Sequence, residues 1–192
     1  MNNTILIFDW DDTLFPTSWL KSKGIDFSNL TNIIPEDIKL ELKNLDDICI
    51  SLLNKVFKLG QVFIVTNSKN GWVKISSQLF LPQVYQFLYK IDIISACENY
   101  SYLPIKDCKV HTFRELLNNH IVNILSFGDS PNDRDSLFLA TKDKHNIYSK
   151  NIKFLNTPTI DEIKTQLLVI LNKIDYLCNV QKKLDMILIN SK

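Results

Sequence analysis

Four short polar segments carry residues whose types and spacing could do chemistry: Asp9-Trp10-Asp11-Asp12-Thr13, Thr66-Asn67-Ser68, Lys106 to Lys109, and Gly128-Asp129-Ser130-Pro131-Asn132-Asp133. Asp9 and Asp11 stand two residues apart where an apolar run ends, so a strand-like alternation would place both carboxylates on one side. Two like charges held that close repel, and each then favours a cation or a shared proton. Asp129 and Asp133 follow another apolar run, and Gly128 lets the backbone turn tightly before them. Read alone, the first cluster is a solvated acidic turn and the second a helix cap, for which Asp, Ser and Asn are well suited. Read together, they form an oxygen-rich site for a hard divalent ion such as magnesium, which takes one or two carboxylates, waters and substrate phosphate oxygens. Thr66, Asn67 and Ser68 supply the hydroxyl, amide and backbone donors that a phosphate needs. They are also ordinary turn residues. Lys106 and Lys109 precede a helical stripe and could bring an ammonium to the same edge.

These segments need elements to position them. Short apolar runs alternate with longer stretches of helical period, the pattern of an α/β domain with a mainly parallel sheet. Strands are expected over Ile5 to Asp9, Val62 to Thr66, Ile91 to Ala96 and Ile121 to Phe127, with a weaker fifth around Asn146 to Ser149. Pro35 to Leu59 reads as a crossover helix, its face made by Ile38, Leu42, Leu45, Cys49, Leu52 and Val56. Shorter helices fit Trp72 to Phe80, Val84 to Tyr89, Val110 to Asn119 and Asp133 to Ala140. A long last helix spans 159–190, opened by Thr159 and Glu162 at capping-box spacing and striped by Ile163, Leu167, Leu171, Ile174, Leu177 and Leu184. The expected architecture is a Rossmann-like three-layer sandwich around a five-stranded sheet, with that helix as cover. In such sheets ligands gather beyond the carboxyl ends of the strands, where three of the four polar segments fall.

The 192 residues, 45% hydrophobic, suit one globular domain over 1–192. Cys49, Cys97, Cys108 and Cys178 include no C-x-x-C pair, and no secretory leader is visible, so a reducing, cytoplasmic setting is expected. Twenty-two basic against 21 acidic residues give a net charge of +1, no strong signal for nucleic-acid binding through phosphate electrostatics. No apolar run approaches the ~20 residues of a bilayer span, so no membrane association is expected. His111, His120 and His145 are too dispersed to suggest a metal cluster. Trp10, Trp19 and Trp72 read as core or flap anchors, with Trp19 the candidate for substrate contact.

The four segments resemble, in order, the motifs of the haloacid dehalogenase superfamily of phosphohydrolases, in a small capless form. D-x-D-x-T after a strand is Asp9-Trp10-Asp11-Asp12-Thr13. The Thr or Ser ending the next strand is Thr66, the helix-opening lysine is Lys109 (preferred to Lys106 because it directly precedes the stripe Val110, Phe113, Leu117), and G-D-x-x-x-D is Gly128-Asp129 to Asp133. Asp12 stands where the commonest form has Gly. The resemblance implies Asp9 as nucleophile, Asp11 as general acid and base, and Thr66 and Lys109 as phosphate-holding catalytic groups beside Asn67. It implies Mg2+ held by Asp9, the backbone carbonyl of Asp11 and Asp129, with Asp133 near it. It further implies a phosphorylated substrate. The gap at 17–34 fits a flap rather than a cap domain, which leaves the site open to a macromolecular substrate or to a small one enclosed by flap and partner chain. Two other readings compete: a phosphoacceptor binding module, disfavoured by the Ser95-Ala96 ending of the third strand, and a silent interaction protein on the same fold. The C-terminal stripe reads as intramolecular cover, with a homodimer through it as the alternative.

Overall fold

The computed structural model describes residues 3–27, 34–117 and 122–189. Parts of four expected segments therefore lie outside the described residues: 28–33 of the flap, 118–119 of one helix together with His120, position 121 of one strand, and the last position of the 159–190 helix.

The strands are β1 (Thr4–Phe8), β2 (Gln61–Thr66), β3 (Asp92–Ser95), β4 (Asn123–Gly128), β5 (Tyr148–Lys153) and β6 (Leu184–Ile187). The helices are α1 (Thr17–Ser22), α2 (Glu36–Leu59), α3 (Trp72–Phe80), α4 (Pro82–Phe87, followed by a 3-10 turn at Leu88–Lys90), α5 (Ala96–Asn99), α6 (Ile105–Leu116), α7 (Pro131–Thr141) and α8 (Ile160–Asn179). The sheet has the order β3-β2-β1-β4-β5-β6, and every neighbouring pair is parallel. The chain runs outward from β1 through β2 to β3, then returns to the other side of β1 to start β4. The order therefore reverses between β1 and β4, and a crevice opens at their carboxyl ends.

Alternation along each strand builds two cores. Leu6, Phe8, Val62, Ile64, Leu125 and Phe127 face a layer that includes α2, α3, α4 and α8, and Phe8 stacks on Phe127 with ring centroids 4.5 Å apart. Ile5, Ile7, Phe63, Val65 and Ile124 face the other layer, where α6 supplies Cys108 and Phe113 and α7 supplies Leu137 and Ala140. Strands buried on both faces read as continuous apolar runs, as β1, β2 and β4 do. The result is the three-layer, Rossmann-like α/β arrangement. The α2 stripe is buried as its spacing requires, and the Thr159–Glu162 capping box is formed, with Thr159 N–H donating to Glu162 Oε2 at 2.7 Å.

Three expectations about the strands and the last helix need correction. The sheet has six strands, not five, and α8 stops at Asn179 rather than running to about residue 190. Leu184 lies seven residues beyond Leu177, a spacing that continues a helical stripe. Yet Val180 is extended, and Leu184 to Ile187 pair with Lys150 to Lys153 instead. That pairing covers an otherwise open edge of β5. The fifth strand also lies later than the expected Asn146–Ser149, because Lys150 and Asn151 disguise it as polar. Lys150 is fully buried and donates to Asn123 Oδ1. No helix among the described residues is long and apolar enough to cross a membrane.

Candidate active site

The reversal between β1 and β4 places Asp9 and Asp129 side by side. Asp9 directly follows β1 and its N–H still donates to the Phe127 carbonyl at 2.8 Å, so the sheet ladder sets its position. Asp129 follows Gly128, the last residue of β4. A Cβ at Gly128 would collide with the Asp133 carboxylate, so glycine here makes room for the third acid. Asp133 opens α7 in a capping box: Ser130 Oγ accepts from the Asp133 N–H, and Asp133 Oδ2 accepts from Ser130 N–H and Oγ at 3.1 and 2.6 Å. The helix-cap reading of this segment is therefore correct, and the cap leaves Oδ1 of the same residue facing the cluster.

Lys109 comes from α6, which packs beside α7 on the same face of the sheet. α6 begins at Ile105, earlier than the expected Val110, so Lys109 lies inside the helix and faces inward with Phe113 one turn on. Its ammonium, 3% exposed, donates to Asp9 Oδ1 at 2.6 Å and to Asp133 Oδ1. Lys106 is exposed. Ligand oxygens of Asp9, Asp129 and Asp133 lie within 4.8 Å of one another. Two of the three carboxylates thus bind one buried ammonium, and the third lies beside them. Burial, reinforced by Asp133 and Asp129 and opposed by Lys109, holds the Asp9 carboxyl well above its usual range. Burial, then Asp133 and Asp12, pushes Asp129 up to about 7. Burial works against the charge on Lys109, but Asp133 and Asp9 together raise its pKa. The donor set is all oxygen, partly desolvated and short of positive charge, which fits a hard divalent cation.

Asp11 lies outside this cluster. β1 ends at Phe8, and the Trp10 carbonyl accepts from the N–H groups of Thr13, Leu14 and Phe15, so the chain has left the extended form that would keep Asp9 and Asp11 on one side. The Asp11 carboxylate instead accepts from Thr17 Oγ1 at 2.5 Å, Ser68 Oγ at 2.7 Å and Trp72 Nε1 at 2.9 Å. Asp12 adopts φ +57°, the left-handed region that Asp tolerates better than most residues. Its carboxylate accepts from Ser18 N–H at 2.7 Å and Ser18 Oγ at 2.5 Å, tying the loop to α1.

No family model, curated protein or solved structure matches this chain. The arrangement must therefore be read from its own geometry.

Thr66 ends β2 at 1% exposure, its hydroxyl accepting from Ser68 N–H at 3.0 Å. Asn67 Oδ1 accepts from the Cys97 thiol at 3.3 Å. Both lie on the carboxyl edge one strand from Asp9. Three neighbours escaped sequence reasoning as site residues. Thr17 and Ser18 each stand six residues beyond the acid they serve, a spacing with no regular period. Trp72 was read only as an anchor; its signal was an indole N–H that needs a partner when buried. Lys153 Nζ donates to the Asp129 carbonyl at 3.0 Å and so braces that loop. Trp19 packs against the first core and shows no tie to the cluster. A surface cleft of about 560 Å3 lies not over the acids but along the outer side of β3, from Asn70 and Ser95 to Tyr89.

Proposed function

We propose that the protein is a magnesium-dependent phosphomonoester hydrolase of the haloacid dehalogenase type, acting through an aspartyl phosphate. The observation that carries this reading is the convergence of Asp9, Asp129 and Asp133 within 4.8 Å of one another, with the buried ammonium of Lys109 bound to Asp9 and Asp133, at the reversal of strand order. Magnesium bound by Asp9, Asp129 and the Asp11 carbonyl, with Asp133 beside them, would offset the charge between nucleophile and phosphate.

Asp9 attacks phosphorus through a carboxylate oxygen as the bond to the leaving oxygen breaks, which divides one difficult displacement into two easier ones. Asp11 gives its proton to that leaving oxygen. As a carboxylate it then takes a proton from the water that attacks the phosphoryl group on Asp9, which restores both acids. Lys109, Thr66 and Asn67 hold the phosphoryl oxygens, and such electrostatic support is the main catalytic task in phosphoryl transfer. Asp133 anchors Lys109 and orients it.

Between Asp12 and α2 the described residues form only α1, and between β3 and α6 only α5. An open site of this kind suits a bulky leaving group, and the cleft beside β3 gives one room. The direct test is hydrolysis of an aryl phosphate with magnesium or with chelator, for the native chain and for Asp9→Asn. Turnover lost in chelator and in the variant is expected. Metal-independent turnover, or full activity in Asp9→Asn, refutes the mechanism.

A further inference from the structure

Asp11 is held differently from Asp9 and Asp133. Asp9 and Asp133 bind an ammonium, whereas the three donors on Asp11 are all neutral. Two of these, the Thr17 and Ser68 hydroxyls, are rotors that can donate or accept and can turn away. The third, the indole N–H of Trp72, can only donate, and it lies fixed in the plane of its ring.

That ring is held on several sides. Trp72 meets Phe15 edge-on at 5.9 Å and Phe27 at 5.1 Å between ring centroids, and Phe27 and Phe15 both pack against Phe80. The backbone sets its direction as well. Gly71, at φ +87°, turns the chain in the left-handed region immediately before α3, so Trp72 opens the helix facing Asp11. A packed aromatic cluster thus fixes one donor at 2.9 Å from Asp11 Oδ1.

We propose that Trp72 is the positioning residue for Asp11, holding its carboxyl group clear of the Asp9, Asp129 and Asp133 cluster and in place to serve the leaving oxygen. The proposal rests on the phosphohydrolase reading above and adds a residue to it. Proton transfer requires the acid within about 2.6–3.2 Å of the oxygen it serves. A carboxyl left to two hydroxyl rotors samples other orientations and spends less time there. In the first step the loss falls on alkyl phosphates, whose leaving oxygen needs the proton, and spares activated aryl phosphates, whose leaving oxygen departs without one. The second step, in which Asp11 serves the water, is common to both substrates, so the comparison is made in kcat/KM, which reports the first.

The test compares the native chain, Trp72→Phe, Asp11→Asn and the double variant on an activated aryl phosphate and on an alkyl phosphate, both with magnesium. Trp72→Phe keeps a ring for Phe15 and Phe27 but removes the donor. It is expected to lower kcat/KM on the alkyl phosphate at least tenfold more than on the aryl phosphate, since general acid assistance is worth about 10²–10⁴ in rate. Adding Trp72→Phe to Asp11→Asn is expected to cost nothing further on the alkyl phosphate, because the two residues act as one unit. Ser68→Ala gives a second reading of the same carboxyl should Trp72→Phe fold poorly, with a smaller loss of the same selectivity. Equal losses of kcat/KM on both substrates, or additive losses in the double variant, overturn the role of Trp72 while Asp9→Asn still abolishes turnover. No magnesium-dependent turnover of either substrate by the native chain overturns this inference and the parent reading together.

Discussion

Replacing Asp129 by Asn is expected to stabilise the metal-free protein and to remove its response to magnesium. Asp129 has an ordinary carboxyl value of 3.8 that burial, then Asp133 and Asp12, push up to about 7 in the folded chain. Below about pH 4 the group is protonated whether folded or unfolded and contributes nothing. Between about pH 4 and pH 7 the folded state keeps a proton that the unfolded state has lost, so stability falls as pH rises. Above pH 7 the full cost remains, on the order of 4 kcal/mol at about 1.4 kcal/mol per unit. Asn carries no charge, so in chelator at pH 8 the variant should exceed the native chain by up to about 4 kcal/mol, or roughly 8–16 °C in Tm for a chain of this size. At pH 5 the gain should shrink to about 2 kcal/mol. Magnesium at a hundred times its Kd should then raise the native chain by about 2.7 kcal/mol and the variant by much less. Thermal unfolding at both pH values, with chelator or magnesium, reads all of this. A variant less stable than the native chain at pH 8 in chelator, or an equal magnesium shift in both, would refute the charge argument.

Other substitutions probe the same cluster from its other sides. Lys109→Met strands Asp9 and Asp133 in the interior and should cost about 3–5 kcal/mol in urea unfolding at pH 7. The deficit should narrow at acid pH as the raised Asp9 carboxyl takes up its proton; a pH-independent deficit would point to packing alone. Gly128→Ala drives a methyl group into Asp133 and should lower stability by about 1–3 kcal/mol. It should also weaken magnesium binding, so an unchanged melting shift with magnesium would count against the close approach.

Much of this molecule is legible along the chain because its determinants are local. The buried stripe of α2 and the capping box of α8 depend on residues three or four apart, and a parallel sheet collects every strand's carboxyl end on one edge whichever strands are neighbours. That is why Asp9, Thr66 and Asp129 could be assigned to one edge before their strand order was known. Other features were misread where one residue satisfies two patterns. Leu184 continues the α8 stripe and equally well begins a strand, and only the open edge of β5 makes the second arrangement the one formed. Lys150 hides a strand because nothing near it in sequence announces Asn123 as its buried partner.

The residue types and their spacing along the chain thus determined by themselves most of the elements, though not β6 or the end of α8, and which acids sit at strand ends. Tertiary structure decided how those acids divide. Chain reversal at Trp10 separates Asp11 from Asp9, α6 delivers Lys109 rather than Lys106, and α3 delivers Trp72 from 61 residues away. The reason is physical: charge and hydrogen bonding act over a few ångströms of space, and only the packing of helices on the sheet brings such distant residues within that range.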